Sequence, residues 1–256
     1  MVTLQHSEAI ANREHVISQP GVARTGPGPL YLLCKRIIDV VVAGLLLLVL
    51  APFLLVIAVL IKLDSPGPVI FSQKRYGARV RLSLNRGAVV EHCTFTFYKF
   101  RTMYANASSE RHRDFIAAYI RNDASAMAAL QNGPVSEASK YKMNGDPRVT
   151  RIGRLLRRTS LDELPQFWNV LIGDMTLVGP RPPLPYEVEM YEPRHRRRLD
   201  AKPGITGLWQ VKGRSSTTFD EMVRLDVEYI TNQSLWTDIK ILLATPAAVV
   251  AGKGAK

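Results

Sequence analysis

The chain has 256 residues, enough for one sizeable domain with appendages. It carries 34 Lys and Arg against 22 Asp and Glu, a net charge of +12, which points to an acidic partner such as nucleic acid, anionic lipid or a phosphorylated substrate. Two cysteines, Cys34 and Cys93, are too few for a disulfide framework and lack metal-ligand spacing, which excludes a disulfide-stapled or zinc-held fold and fits a reducing compartment.

Residues 1–30 are polar, rich in Gly and Pro, and read as a disordered tail without signal-peptide character. From Ile37 to Ile61 every residue except Asp39 is apolar, Gly or Pro. That exceeds the roughly 20 residues needed to cross a bilayer. Pro52 falls near the middle, where it removes a backbone hydrogen bond. Positive charge flanks both ends, with Lys35 and Arg36 before and Lys62, Lys74 and Arg75 after. The positive-inside rule then favours both ends on one face. On these grounds alone a re-entrant helix broken at Ala51–Pro52 and a spanning one stand equal.

Beyond the turn cluster Asp64–Pro68, two β-like runs, 69–73 and 94–100, frame a turn near Arg86–Gly87. Residues 105–131 read as helical and 132–147 as loop. Val149 to Arg158 forms an amphipathic helix with Ile152, Leu155 and Leu156 on one face and Arg151, Arg154, Arg157 and Arg158 on the other. The next helix is expected from about Leu161 to Ile172, with Leu164, Phe167, Trp168 and Leu171 buried. A short strand at 175–178 leads to the rigid loop Pro180–Pro185 that fixes Arg181. A charged helix to Arg198, a turn at Lys202–Gly207, a strand at 208–211 and a helix at 217–232 come after it. The final segment, 235–252, is interrupted by Pro246. It suits an interfacial helix with Trp236 as anchor or a buried core helix equally.

The most informative stretch is Thr159-Ser160-Leu161-Asp162-Glu163-Leu164-Pro165-Gln166. Two adjacent carboxylates sit among Arg148, Arg151, Arg154, Arg157, Arg158 and Arg181. Guanidinium groups are the usual partners of phosphate oxygens. An ionised carboxylate beside them suggests phosphoryl chemistry, with the carboxylate as nucleophile or metal ligand. Ser160 to Glu163 also fits a helix capping box, a commoner and purely structural explanation. No Walker A sequence, dinucleotide glycine motif or zinc spacing is present.

These pieces, taken together, resemble the bacterial sugar transferases, the monotopic polyprenyl-phosphate hexose-phosphate transferases of exopolysaccharide type. The resemblance rests on Lys35-Arg36-Ile37-Ile38-Asp39, Ser65-Pro66-Gly67-Pro68-Val69-Ile70-Phe71, Lys99-Phe100-Arg101-Thr102-Met103 and Asp146-Pro147-Arg148-Val149-Thr150-Arg151-Ile152-Gly153. It continues through the Asp162-Glu163 stretch, Gly179-Pro180-Arg181-Pro182, Lys202-Pro203-Gly204-Ile205-Thr206-Gly207 and Leu225-Asp226-Val227, in family order across about residues 31–250. It implies an α/β, helix-rich cytoplasmic domain with small β elements (63–256), anchored by a re-entrant helix over 31–62 that is broken at Pro52, with interfacial amphipathic helices. It places the protein on the cytoplasmic face of the bacterial inner membrane. It implies transfer of a sugar 1-phosphate from a UDP-sugar to polyprenyl (undecaprenyl) phosphate, with UMP released. Asp162 would be the nucleophile and Glu163 a ligand for Mg²⁺, with Lys99, Arg101, Arg157, Arg181 and Arg214 binding substrate. Anionic membrane lipids are expected partners, nucleic acid is not, and a homo-oligomer is allowed. The segment 104–145 is longer than in the smallest family members, and the four-helix membrane domain of the large members has no counterpart in this chain. The competing reading is a membrane-tethered basic protein that binds polyanions without catalysis, through Arg194-His195-Arg196-Arg197-Arg198. It gains nothing from a carboxylate pair inside its basic face.

Overall fold

The computed structural model describes residues 27–83, 87–105, 110–130, 146–213 and 217–250. The polar tail, Arg86 and Arg214 therefore lie outside the described residues.

Helix α1 runs from Pro29 to Asp64. Helical conformation persists through Pro52, so the expected break at Ala51–Pro52 is not a gap in the helix. A proline forfeits one backbone hydrogen bond but can keep helical dihedrals on both sides. The two ends of α1 dock on the same body of protein. Near its start, Lys35 Nζ donates to the Asp238 carboxylate at 2.7 Å and to the Val178 carbonyl at 2.9 Å. Arg36 donates to the Val170 and Leu171 carbonyls at 2.7 and 2.8 Å. Asp39, the one acid in the apolar stretch, is buried and accepts from the Thr176 hydroxyl at 2.7 Å and the Leu177 N–H at 2.9 Å. Near its end, Ile57 and Ile61 pack with Phe100 and Leu156, and Asp64 accepts from the Ile152 N–H at 3.0 Å. Between these docked regions Leu45, Leu48, Val49, Phe53, Leu55 and Val56 are exposed. An apolar helix tethered at both ends, with a bare apolar middle, is the geometry of a membrane anchor.

Strands β1 (Ile70–Ser83) and β2 (Gly87–Phe100) form a long antiparallel hairpin, much longer than the runs expected from the sequence. The register pairs Phe71 with Lys99, Gln73 with Phe97 and Arg75 with Phe95. Side chains alternate faces, so Phe71, Gln73 and Arg75 share one face with Phe95, Phe97 and Lys99. That face carries both apolar packing and cations. Helices α2 (Glu110–Ile120) and α3 (Ala124–Leu130) come next, as expected. Phe115, Ile116 and Tyr119 of α2 are buried in a core with Val188, Tyr191, Phe219 and Met222.

Helix α4 (Arg151–Thr159) is capped by Thr150, whose hydroxyl accepts from the Gly153 N–H at 3.0 Å. It ends at Ser160, in the left-handed conformation with φ of 58°. The Ser160 side chain makes no cap bond to the turn at Leu161–Glu163, so the capping box is not formed. In place of one helix from Leu161 to Ile172 there is a 3₁₀ turn, Leu161–Glu163, and then α5 (Gln166–Ile172). The break shifts the buried face. Gln166, Asn169 and Val170 point inward, whereas Trp168, expected in the core, is exposed. Asn169 is buried because it joins the hairpin, accepting from the Tyr98 N–H and donating to the Thr96 carbonyl.

Strands β3 (Thr176–Val178) and β4 (Gly204–Thr206) pair in parallel. The expected turn at 202–207 thus contains a strand, and the expected strand at 208–211 is instead helix α7 (Leu208–Lys212). The chain after β3 lies against the one before β4, where a Cβ on Gly204 would collide with the Gly179 backbone. Only glycine at that crossing lets the Arg181 loop start where it does. Helix α6 (Pro185–Glu189), a 3₁₀ turn at His195–Leu199, α8 (Phe219–Thr231) and α9 (Leu235–Val250) complete the domain. Pro246 lies inside α9 without ending it. Ile241 and Asp238 of α9 are buried while Trp236, Ile239 and Leu243 are exposed.

Candidate active site

Asp162 sits in the 3₁₀ turn between α4 and α5 and is buried. Three segments close around it. From α4, one turn back, comes Arg157. From the end of β2 comes Lys99, whose Nζ lies 5.5 Å from the centre of the Phe71 ring. From the proline loop comes Arg181, whose Nη1 donates to Glu163 Oε1 at 3.1 Å. Burial pushes Lys99 down to about 8. The neighbouring cations Arg75, Arg157 and Arg181 push the same way, and the Asp162 carboxylate opposes them. Lys99 thus feels both the carboxylate and a group of guanidinium ions.

The structure brings together five of the residues expected from the sequence: Lys99, Arg157, Asp162, Glu163 and Arg181. Arg101 is elsewhere. Its buried guanidinium donates to the carbonyls of Pro66 and Ser65, both at 2.6 Å, and to the Ser65 hydroxyl at 3.0 Å. Alternation along β2 turns residues 99 and 100 to opposite faces and returns 101 towards the face of Lys99, but the strand ends at Phe100. Arg101 instead holds the end of α1, a structural task in place of the expected substrate contact. Arg214 falls outside the described residues.

Three residues join the site without having been singled out. Arg75 is buried, donates to the Pro182 carbonyl at 3.1 Å and stacks 5.2 Å from the Phe97 ring centre. It therefore carries the Arg181 loop on the hairpin. Its signal was available in the alternation Phe71, Gln73, Arg75, which places it on the face of Lys99. His112, from α2, has its pKa pushed down to about 4, first by burial and then by Arg75, Lys99, Arg148 and Arg157. Glu187 of α6 is buried, which raises its pKa against the pull of Arg75, Arg198 and Arg181. No sequence motif marked either of these two. Behind the loop, Arg198 forms a buried pair with Asp226 at 2.8 Å and donates to Tyr191 at 3.0 Å.

Among the described residues no group of three or more His, Cys, Asp or Glu side chains forms a metal cage. Mg²⁺ keeps several waters and is commonly held by one or two carboxylates together with substrate phosphates. Adjacent Asp162 and Glu163, with Lys99 and Arg181 near them, fit such an ion.

A profile of the bacterial sugar transferases matches residues 30–252. The chain belongs to the bacterial sugar transferase family. It is 43% identical over 227 residues to the galactosyl transferase CpsE of Streptococcus agalactiae, covering 88% of this chain and 44% of that protein. It is 40% identical over 220 residues to the UDP-glucose:undecaprenyl-phosphate glucose-1-phosphate transferase of Caulobacter vibrioides, covering 82% and 67%. It is 34% identical over 226 residues to the exopolysaccharide production protein ExoY of Sinorhizobium fredii, covering 88% and 89%. The chain thus spans less than half of the first of these relatives and most of the last.

Proposed function

We propose that this sugar transferase moves a sugar 1-phosphate from a UDP-sugar to undecaprenyl phosphate, at the cytoplasmic face of the bacterial inner membrane, and so begins the assembly of an exopolysaccharide or related glycan. The observation that carries this reading is a buried carboxylate, Asp162, that acts on Lys99 together with Arg157 and Arg181, in a domain that grips both ends of an apolar helix. The name of the Caulobacter relative supports the donor and acceptor classes.

Both substrates are anions, and an anionic nucleophile approaches a diphosphate only where cations offset the repulsion. Lys99, Arg157 and Arg181 bind the diphosphate oxygens, and Arg181 holds Glu163 in place. An Asp162 carboxylate oxygen attacks the phosphorus that bears the sugar. The bond from that phosphorus to the bridging oxygen breaks, and UMP leaves with the electron pair. In the second step an oxygen of undecaprenyl phosphate attacks the same phosphorus, and the bond to Asp162 breaks. The carboxylate is regenerated and no proton need be supplied. Splitting the reaction this way lets one cationic pocket serve two anions in turn, which gives ping-pong kinetics. Mg²⁺, held by Glu163 and Asp162 when bound, would add charge stabilisation at the phosphates.

The test is release of UMP by protein in nanodiscs with undecaprenyl phosphate and a panel of UDP-sugars. Omission of the acceptor should leave a phosphosugar adduct on Asp162, visible by mass. Asp162→Asn should abolish both turnover and adduct while the protein stays in the membrane. Substantial turnover by Asp162→Asn would refute the covalent route.

A further inference from the structure

The transfer steps above leave one buried polar side chain of the carboxylate turn unused. Gln166, the first residue of α5, is 1% exposed, and its Nε2 has no hydrogen-bond partner among the described residues. The backbone fixes its place next to the carboxylates. Leu164 and Pro165, which separate it from Glu163, both hold right-handed helical dihedrals, with φ of −55° and ψ of −36° at the first and φ of −61° and ψ of −15° at the second. The N–H groups of Phe167 and Trp168 donate to the carbonyls of these two residues, each at 3.1 Å. In a helical turn, residues three and four apart are neighbours, so Gln166 lies beside both Glu163 and Asp162. Asn169, three residues further along the same edge, has both ends of its carboxamide bonded, accepting from the Tyr98 N–H at 3.1 Å and donating to the Thr96 carbonyl at 2.7 Å. Gln166 is thus bracketed between Glu163, which accepts from Arg181 at 3.1 Å, and an asparagine bonded to the strand that carries Lys99.

A buried N–H group without an acceptor costs stability, whereas an apolar side chain of the same shape would not. A fold that keeps such a group one turn from its reactive carboxylate has a use for it that the protein alone does not supply. We propose that Gln166 Nε2 donates to a non-bridging oxygen of the phosphoryl group while that group is bonded to Asp162, which makes Gln166 a further catalytic residue. This rests on the sugar-phosphate transfer reading above. The amide nitrogen only donates and the phosphate oxygens only accept, so a phosphoryl group also selects the rotation of the carboxamide that turns its NH₂ end inward. Asp162 is itself buried, so a phosphoryl group that reaches its carboxylate has already entered the space closed over this turn. The hydrogen bond forms only as the group transfers, where it stabilises the charge spread over the phosphoryl oxygens.

The test sets stability against activity, using the full chain in nanodiscs. Gln166→Met keeps the length and shape of the side chain and removes the amide. Two quantities are read: the thermal midpoint without substrate, and kcat/KM for the UDP-sugar from UMP release with undecaprenyl phosphate present. The midpoint should equal or exceed that of wild type, because the substitution removes a buried donor that the folded protein does not satisfy. Meanwhile kcat/KM should fall about tenfold to a hundredfold, the loss expected for one hydrogen bond to a charged group. Gln166→Leu, apolar but branched, should behave alike and guards against a packing fault particular to methionine. A lower midpoint in both variants overturns the proposal, because the amide then has a partner within the protein and its role is structural. Unchanged stability with kcat/KM within about twofold of wild type overturns it as well. Wild-type protein that releases no UMP with any UDP-sugar defeats the transferase reading itself, whereas wild-type turnover matched by both variants defeats only the role of Gln166.

Discussion

Lys99 offers the sharpest quantitative prediction. Its ammonium group is pushed down to about 8 by burial and by Arg75, Arg157 and Arg181, against the pull of Asp162. Lys99 should therefore lose its charge just above neutrality, and with it the hold on donor phosphates proposed above. Between pH 7 and pH 9 the protonated fraction falls from about nine-tenths to about one-tenth, so kcat/KM for the UDP-sugar should drop about tenfold. A bound diphosphate favours the charged lysine, so the limb in kcat should lie at higher pH than the limb in kcat/KM. Unfolding does not mimic this loss. The unfolded chain binds the Lys99 proton more tightly than the folded one, so this residue makes stability rise, not fall, as pH climbs from about 8 to 10. The assay is UMP release at subsaturating donor across pH 6 to 10, with Lys99→Arg beside it. Arginine stays charged throughout this range, so the variant should be slower, because its planar head suits the site less well, but flat with pH. A Lys99→Arg enzyme that retains the same alkaline limb would refute the assignment.

Three further outcomes arise from the contacts. Asp39→Ala leaves the buried Thr176 hydroxyl and Leu177 N–H without their carboxylate, and should destabilise the nanodisc-held protein by about 3 kcal/mol, read as a lower thermal midpoint; an unchanged midpoint would remove Asp39 as the clamp on β3. Asp226→Ala strands the buried Arg198 guanidinium behind the Arg181 loop and should cost about 3–5 kcal/mol, whereas a near-neutral result in denaturation would show that water reaches Arg198. Chelation by EDTA should stop UMP release, and Glu163→Gln should raise the Mg²⁺ concentration needed for half-maximal rate; an identical metal titration in the variant would dismiss Glu163 as a ligand.

The sequence was most legible where a chemical pattern coincided with a local one. Asp162 and Glu163 stood out because acids are rare among so many arginines, and in the structure Arg181 bonds Glu163 while Asp162, Arg157 and Arg181 all act on Lys99. Arg101 sits apart from Lys99, because closeness in the chain says nothing about where a strand ends. One residue past β2, its guanidinium turns to carbonyls at the close of α1. The strand expected at Leu208–Val211 became helix because its apolar residues are too few to fix a period. No local pattern marked His112, because its contact with Tyr186 joins segments 74 residues apart. The inward face of α5 was misread for want of the turn at Leu164–Pro165, which rotated Trp168 outward and Asn169 inward.

The apolar helix and Asp162 share one scaffold. The turn that carries Asp162 joins α4 to α5, and each of these helices is tied to a different end of α1. Asp64 accepts from the first turn of α4, while Arg36 donates to the last carbonyls of α5. The 3₁₀ turn is thus suspended between the two ends of the apolar helix. Two tethers on one domain, with the exposed apolar residues from Leu45 to Val56 between them, leave a bare apolar stretch suited to membrane association. Such an arrangement would fix the height of Asp162 relative to the membrane from both sides. That is what an acceptor requires whose phosphate stays at the interface while its chain stays in the lipid. Loosening either tether, at Arg36 or at Asp64, should therefore impair transfer to undecaprenyl phosphate more than it impairs formation of the Asp162 adduct from the water-soluble donor. Equal impairment of both steps would mean that the tethers serve folding alone.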